Sequence, residues 1–287
     1  MAYVAWRVSE FAMSKWYWRI EDLCIPSFPI ELSDEEIEYI RSSVLSEETE
    51  PIPESLFGKI RQCIVEHQLN LCYIRDDYRS PKDAYWMAWA LPRSGPIFVS
   101  EKERDIYRLL RFFLQSERTE EDFMQKEPPR YLWLRPWMYI TDEMRLFIRN
   151  KKLIAISQYD YYSIDAGRNL SHYFGLELSD ILSDVMDYIA PIVEKIINIA
   201  KNVISRVPYD SFVLDIGKSR FYPGATFDKK VLTKIVQSAF RVIEINEFSR
   251  LTDPCLFSWD EIENLNDDSI VVKIKTERGV VSKILKM

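Results

Sequence analysis

Ser211-Phe212-Val213-Leu214-Asp215-Ile216 and Arg241-Val242-Ile243-Glu244-Ile245-Asn246-Glu247-Phe248 are the two stretches on which the reading of this chain turns. Both are rich in β-branched and aromatic residues, and a helix-prone segment from Lys229 to Ala239 separates them. A strand's period of two puts Glu244 and Asn246 on one face of the second stretch, with Ile243 and Ile245 on the other. If Asp215 faces them from the neighbouring strand, three hard oxygen donors converge. Such a set suits Mg²⁺ carrying nucleotide phosphates and water in its remaining positions. Spacing alone favours a plainer arrangement, an amphipathic strand with its polar side in water.

Upstream, Ser33-Asp34-Glu35-Glu36 has the form of a capping box, and the apolar spacing that follows predicts a helix to about Leu45. Two prolines and a cluster of acids break it, and Leu56, Ile60, Cys63, Ile64 and His67 then mark a second amphipathic helix. Leu69 to Arg75 reads as a strand feeding a charged loop. Ser100 to Glu103 reads as a second capping box, opening a helix that buries Ile106, Leu109, Leu110 and Phe113. Pro128-Pro129 is the expected lobe boundary, giving lobes of residues 1–129 and 130–287. Beyond it come a strand from Tyr131 to Trp137 and a hairpin turning at Asn150-Lys151-Lys152. A long apolar helical stripe starts at Ser179, with Pro191 either kinking it or opening a second helix. A closing hairpin is expected over Ser269 to Leu285. The fold class expected is α+β: two lobes, mixed or antiparallel sheets, and flanking helices.

Composition narrows the function. The chain has 287 residues, of which 47% are apolar, enough for one large domain or two packed lobes. Cys24, Cys63, Cys72 and Cys255 form no CxxC pair, and His67 and His172 sit on unrelated segments, so no thiolate or imidazole zinc site is indicated. Thirty-eight basic against forty-five acidic side chains disfavour a nucleic-acid backbone as ligand. No apolar run is long enough to span a bilayer, and residues 1–18 do not follow the plan of a signal peptide, so a cytoplasmic, monomeric protein is expected. Only seven glycines occur, the closest pair being Gly217 and Gly224. Neither a Walker loop nor a dinucleotide fingerprint can be built from them, so any nucleotide must be held mainly by side chains.

Tyr131-Leu132-Trp133-Leu134-Arg135-Pro136-Trp137, followed by Glu143 and Arg145, looks like the linker of an ATP-grasp site, and Glu244-Ile245-Asn246 looks like the ExN of its metal-binding strand. More specifically, a series of blocks resembles the signature blocks of the cell division cycle protein 123 family. They are Ser80-Pro81-Lys82-Asp83-Ala84-Tyr85-Trp86, Leu134-Arg135 with Trp137, Glu143-Met144-Arg145-Leu146-Phe147, Ile154 to Tyr161, Phe212-Val213-Leu214-Asp215, Ile245-Asn246 with Thr252-Asp253, and Leu256-Phe257-Ser258-Trp259-Asp260-Glu261. Lys15-Trp16-Tyr17 extends the likeness toward the N-terminus.

The resemblance implies an atypical ATP-grasp protein that binds ATP and Mg²⁺ and grips the gamma subunit of translation initiation factor 2 during assembly of that factor. It implies phosphate contacts for Arg75 and Lys82, with Arg135 and Arg145 near the same charge. Trp137 would mark the adenine linker and Glu143 the ribose, and Asp215, Glu244 and Asn246 would hold the metal. Without the resemblance, Arg135 and Arg145 read equally well as members of ordinary salt bridges. The sequence departs from the family pattern in several places: Arg75 stands where the family has lysine, Glu244 where it has aspartate, and Asn246-Glu247 where it has Asn-Pro. Pro136 interrupts the linker, and the segment from Gly217 to Arg241 is longer than usual. The rival readings are an ATP-dependent carboxylate-amine ligase and a degenerate scaffold without nucleotide affinity.

Overall fold

Residues 10–45, 51–81, 102–159, 185–221, 240–276 and 279–286 are described by the computed structural model. The chain divides into two compact units: Met1–Glu21 with Ile25–Tyr139 and Arg220–Ser238, and Asp22–Cys24 with Ile140–Ser219 and Ala239–Met287. The expected α+β class holds.

The first unit carries α1 (Met13–Trp16), β1 (Phe28–Glu31), α2 (Asp34–Val44), α3 (Glu54–Glu66), β2 (Cys72–Asp76), α4 (Glu103–Leu114), α5 (Glu117–Phe123) and β3 (Tyr131–Pro136). The capping box of α2 forms as expected: the Ser33 hydroxyl accepts from the Glu36 N–H, and the Glu36 carboxylate accepts from the Ser33 N–H. Ser100, the cap expected for α4, lies outside the described residues. That helix begins at Glu103 with Lys102 as its N-cap and no capping side chain, because Lys offers only donors to backbone N–H groups that need acceptors.

β3 is the centre of an antiparallel sheet in the order β1-β3-β2, so the strand expected in the second half belongs with the first unit. Its register separates two faces. Ile30, Leu132, Leu134 and Ile74 turn toward the helices, where Ile37, Ile60, Leu109 and Phe113 complete a dry core. Tyr73, Arg75, Trp133 and Arg135 alternate with them and point to the opposite face. There the N-terminal aromatics cover Trp133, with the Tyr17 and Trp18 rings 5.2 and 5.7 Å from it. The Trp133 indole N–H donates to Asp77 at 3.0 Å.

The second unit holds a six-stranded mixed sheet in the order β7-β6-β4-β5-β8-β9. Its strands are β4 (Met138–Arg149), β5 (Lys152–Gln158), β6 (Phe212–Phe221), β7 (Phe240–Glu247), β8 (Ser269–Thr276) and β9 (Gly279–Lys286), with helices α6 (Val185–Arg206) and α7 (Trp259–Glu263). Both expected hairpins form. The β4–β5 turn consists of Asn150 and Lys151, at φ 51° and 62°, the positive values that a two-residue turn needs to match strand twist. Lys151 also donates to the carbonyl of Val207 at 2.7 Å, satisfying an acceptor just past the end of α6. Pro191 lies inside α6, so it does not open a second helix. Phe147, Ile154, Val213, Phe257, Trp259 and Ile262 form the core beside the sheet. The expected helix between β6 and β7 falls outside the described residues, as do Ser179, Lys82 and His172.

Candidate functional site

β6 and β7 pair antiparallel, with Asp215 opposite Glu244 and Val213 opposite Asn246. Residues directly opposite in a ladder share a face at about 4.5–5.5 Å between Cβ atoms, so the two carboxyls are neighbours and Asn246 is their diagonal companion. The diagonal contact is direct: Asn246 Nδ2 donates to Asp215 Oδ2 at 3.1 Å. The structure thus brings these three side chains together within the second unit. A bulge between Asp215 and Ile216 shifts the register just beyond the site.

β4 delivers a guanidinium to the same point. Arg145 donates through Nε and Nη2 to the two oxygens of Asp215, both at 2.8 Å, and through Nη1 to the carbonyl of Asp253 at 2.8 Å. Its guanidinium carbon lies 4.5 Å from the centre of the Tyr159 ring. The ion pair is almost dry, the side chains being 5% and 1% exposed. Burial works against the charge on Arg145, but the Asp215 carboxylate beside it outweighs burial and keeps the guanidinium protonated well above its ordinary range. The salt bridge that serves Arg145 equally well on sequence grounds is thus present, and Asp215 is its partner.

Glu143 stands two residues before Arg145, half-buried, and its carbonyl accepts from the Tyr159 N–H at 2.9 Å. Asp142, beside it, has φ 52°, a left-handed conformation that aspartate tolerates better than most residues. Cys255 adopts φ 57° in the segment that follows β7, and burial pushes its thiol up to about 12, which leaves no thiolate nucleophile there at neutral pH.

In the first unit, Arg75 and Arg135 are 1% and 0% exposed on the same sheet face, on neighbouring strands. Arg75 donates to the carbonyls of Asp76 and Tyr78 at 3.1 and 3.3 Å, and Arg135 Nε donates to Ser27 Oγ at 2.7 Å. Trp137 is half-buried; its N–H donates to the Leu71 carbonyl at 2.9 Å, and its ring meets Tyr73 edge-on. Ser27, Tyr159 and the Asp253 carbonyl are partners that the sequence reading did not assign. Tyr159 and Asp253 lie inside quoted blocks, but nothing in their spacing announces a contact with Arg145.

The donor set fits a divalent cation in kind. Two carboxylates and an amide oxygen are hard ligands, and Asn246 spends its N–H on Asp215, leaving its carbonyl oxygen as an acceptor. Among the described residues no group of three histidine, cysteine or acidic side chains is placed to hold a metal, so a cation held by three side chains here would need that amide beside the two carboxylates. Asp215 has both oxygens engaged by Arg145, and its coordination would use the remaining lone pairs.

Comparison with known proteins gives a consistent picture. A family model described as D123 matches residues 32–283. A protein of Candida glabrata named cell division cycle protein 123 is 29% identical over 240 residues, covering 78% of this chain and 56% of that protein. One of Vanderwaltozyma polyspora named translation initiation factor eIF2 assembly protein is 27% identical over 223 residues, covering 73% and 49%. The chain therefore spans about half the length of the curated relatives it matches. Among solved structures, Cdc123 from Schizosaccharomyces pombe superposes with a TM-score of 0.57 at 20% identity, over 91% of this chain and 92% of that one. Its C-terminally truncated form gives 0.60 over 93% and 96%. At that identity the likeness speaks for the fold.

Proposed function

The chain belongs to the D123 family, and from that premise we propose that it acts in the assembly of translation initiation factor eIF2, binding ATP with Mg²⁺ and gripping the gamma subunit of that factor. The observation that carries the nucleotide part is the ladder position of Asp215 and Glu244 with Asn246 bonded across it. Names borne by relatives carry the assembly part.

In this reading Asp215, Glu244 and Asn246 hold the cation, which would neutralise phosphate charge when bound. Arg145 fixes the Asp215 carboxylate in place and offsets its charge before any ligand arrives, so the oxygens need little reorganisation. Arg75, Lys82 and Arg135 supply positive charge for phosphates in place of a glycine loop. Trp137 borders the adenine and Glu143 bonds the ribose hydroxyls. A partner that prefers the ATP-filled form shifts the equilibrium by its differential affinity alone, so turnover is not required.

The test is co-purification from a eukaryotic lysate, probed for the gamma subunit with and without ATP and Mg²⁺. Recovery of that subunit, increased by the nucleotide, supports the reading. Recovery of unrelated proteins only would remove the assembly role. ADP release that depends on an added acid and amine would favour the ligase alternative.

A further inference from the structure

α4 has two distinct sides. Ile106, Leu109, Leu110 and Phe113 are buried in the first unit's core. Arg104, Arg108 and Arg111 stand exposed on the other side, at spacings of four and three residues that align them in one row along the helix. Among the described residues none of the three arginines makes a salt bridge or a side-chain hydrogen bond. This contrasts with Arg79, Arg145, Arg149, Arg206 and Arg250, each engaged by a carboxylate.

The row borders a groove of about 700 Å³, within the range of about 300–1,000 Å³ found for pockets that enclose a ligand. Leu110, Leu114 and Ile52 give the groove an apolar lining, and Tyr39 of α2 and Tyr107 of α4 add rings with polar tips. Lys102 and Glu103 line it too, so its charged lining is four basic side chains against one acid. In a chain of net charge −7, basic side chains set this close, with Glu103 and Asp105 as the acids beside them on the helix, repel one another and favour the arrival of an anion.

We propose that this groove is a docking site for a short acidic peptide segment bearing one or two large apolar side chains. Carboxylates of the segment pair with Arg104, Arg108 and Arg111, whose guanidinium forks can each grip two oxygens, and the apolar side chains enter between Leu110, Leu114 and Ile52. The apolar lining argues for a peptide over a phosphodiester strand, because a nucleic acid carries no large aliphatic side chain to fill it. The excess of acid over base in the chain repels a polyanion at long range as well. The site uses residues of the first unit only and does not rest on the nucleotide reading.

The test uses the full chain and fluorescence anisotropy with four labelled probes. These are an acidic twelve-residue peptide with a central leucine–tryptophan pair, the same peptide with glutamine for each glutamate, the acidic peptide with alanine for the apolar pair, and a twelve-nucleotide oligouridine. The first peptide should bind at least tenfold more tightly than the other three, with affinity falling as salt rises. The double variant Arg108→Glu, Arg111→Glu should weaken it at least tenfold, whereas Arg19→Glu, another exposed arginine, should not; thermal melts check that each variant folds. No binding of the acidic peptide up to about millimolar concentration, equal binding of its glutamine counterpart, indifference to the double reversal, or tighter binding of the oligouridine would each overturn the proposal.

Discussion

Arg145 holds Asp215 by two parallel N–H···O contacts of 2.8 Å, with both side chains almost wholly out of water. Seventy residues separate them in sequence, and the pairing ties β4 to β6 at the point where Asn246 joins the same carboxylate. Removing one member leaves a buried charge without its counter-ion, which typically costs about 3–5 kcal/mol. Arg145→Met and Asp215→Ala should each lose stability of that order in urea unfolding. The double variant Arg145→Met, Asp215→Ala should lose clearly less than the sum, since no charge is stranded. Additive losses would contradict the pairing.

A second acidic pair lies in the first unit. Asp76 accepts from the backbone N–H groups of Tyr78 and Arg79, both at 2.7 Å, and Arg79 grips Asp122 through Nε and Nη2. Burial, and then the neighbouring charge of Asp122, raise the Asp76 carboxyl well above its usual value of 3.8; burial raises Asp122 too. A carboxyl raised in the folded state contributes stability that is complete below its unfolded value and is lost as pH rises through the folded one. Asp76→Asn keeps the accepting oxygen and cannot ionise. Its stability relative to wild type should therefore improve from pH 4 toward neutrality and above, read as urea midpoints across that range. A difference that does not change with pH would exclude the effect.

The Ser33 capping box should matter more than its surface position suggests, because Glu36 is also gripped by Lys59 at 2.7 Å, linking α2 to α3. Ser33→Ala should cost about 1 kcal/mol and lower the melting temperature by a few degrees. Ser33→Asp, which restores an acceptor, should recover most of it. Failure of aspartate to rescue would mean that the cap is not the cause.

Local rules carried much of the fold. The α2 box, the Asn150-Lys151 turn and the shared face of Glu244 and Asn246 all depend on residues within a few positions of one another, where capping chemistry, positive φ and strand period act. What escaped is non-local. β3 reads as a strand from Tyr131 onward, but that its neighbours are β1 and β2 depends on pairings across more than fifty residues. The start of α4 escaped for another reason: the serine at position 100 satisfies a pattern, while the helix is set by its buried face from Ile106 to Phe113. At the candidate site, chain order brought out Asp215, Glu244, Asn246 and Arg145, but the Arg145–Asp215 contact, the Tyr159 ring and the Asp253 carbonyl arise only when β4, β6 and the segment after β7 come together.

Calorimetric titration of the full chain with ATP, in Mg²⁺ and again in EDTA, tests the central claim most directly when repeated on Glu244→Gln and Asn246→Ala, which spare the Arg145–Asp215 pair. The account predicts Mg²⁺-dependent binding by wild type, weakened at least tenfold in both variants. ATP binding that is indifferent to Mg²⁺ and equal in all three proteins, or no binding by wild type, would contradict it.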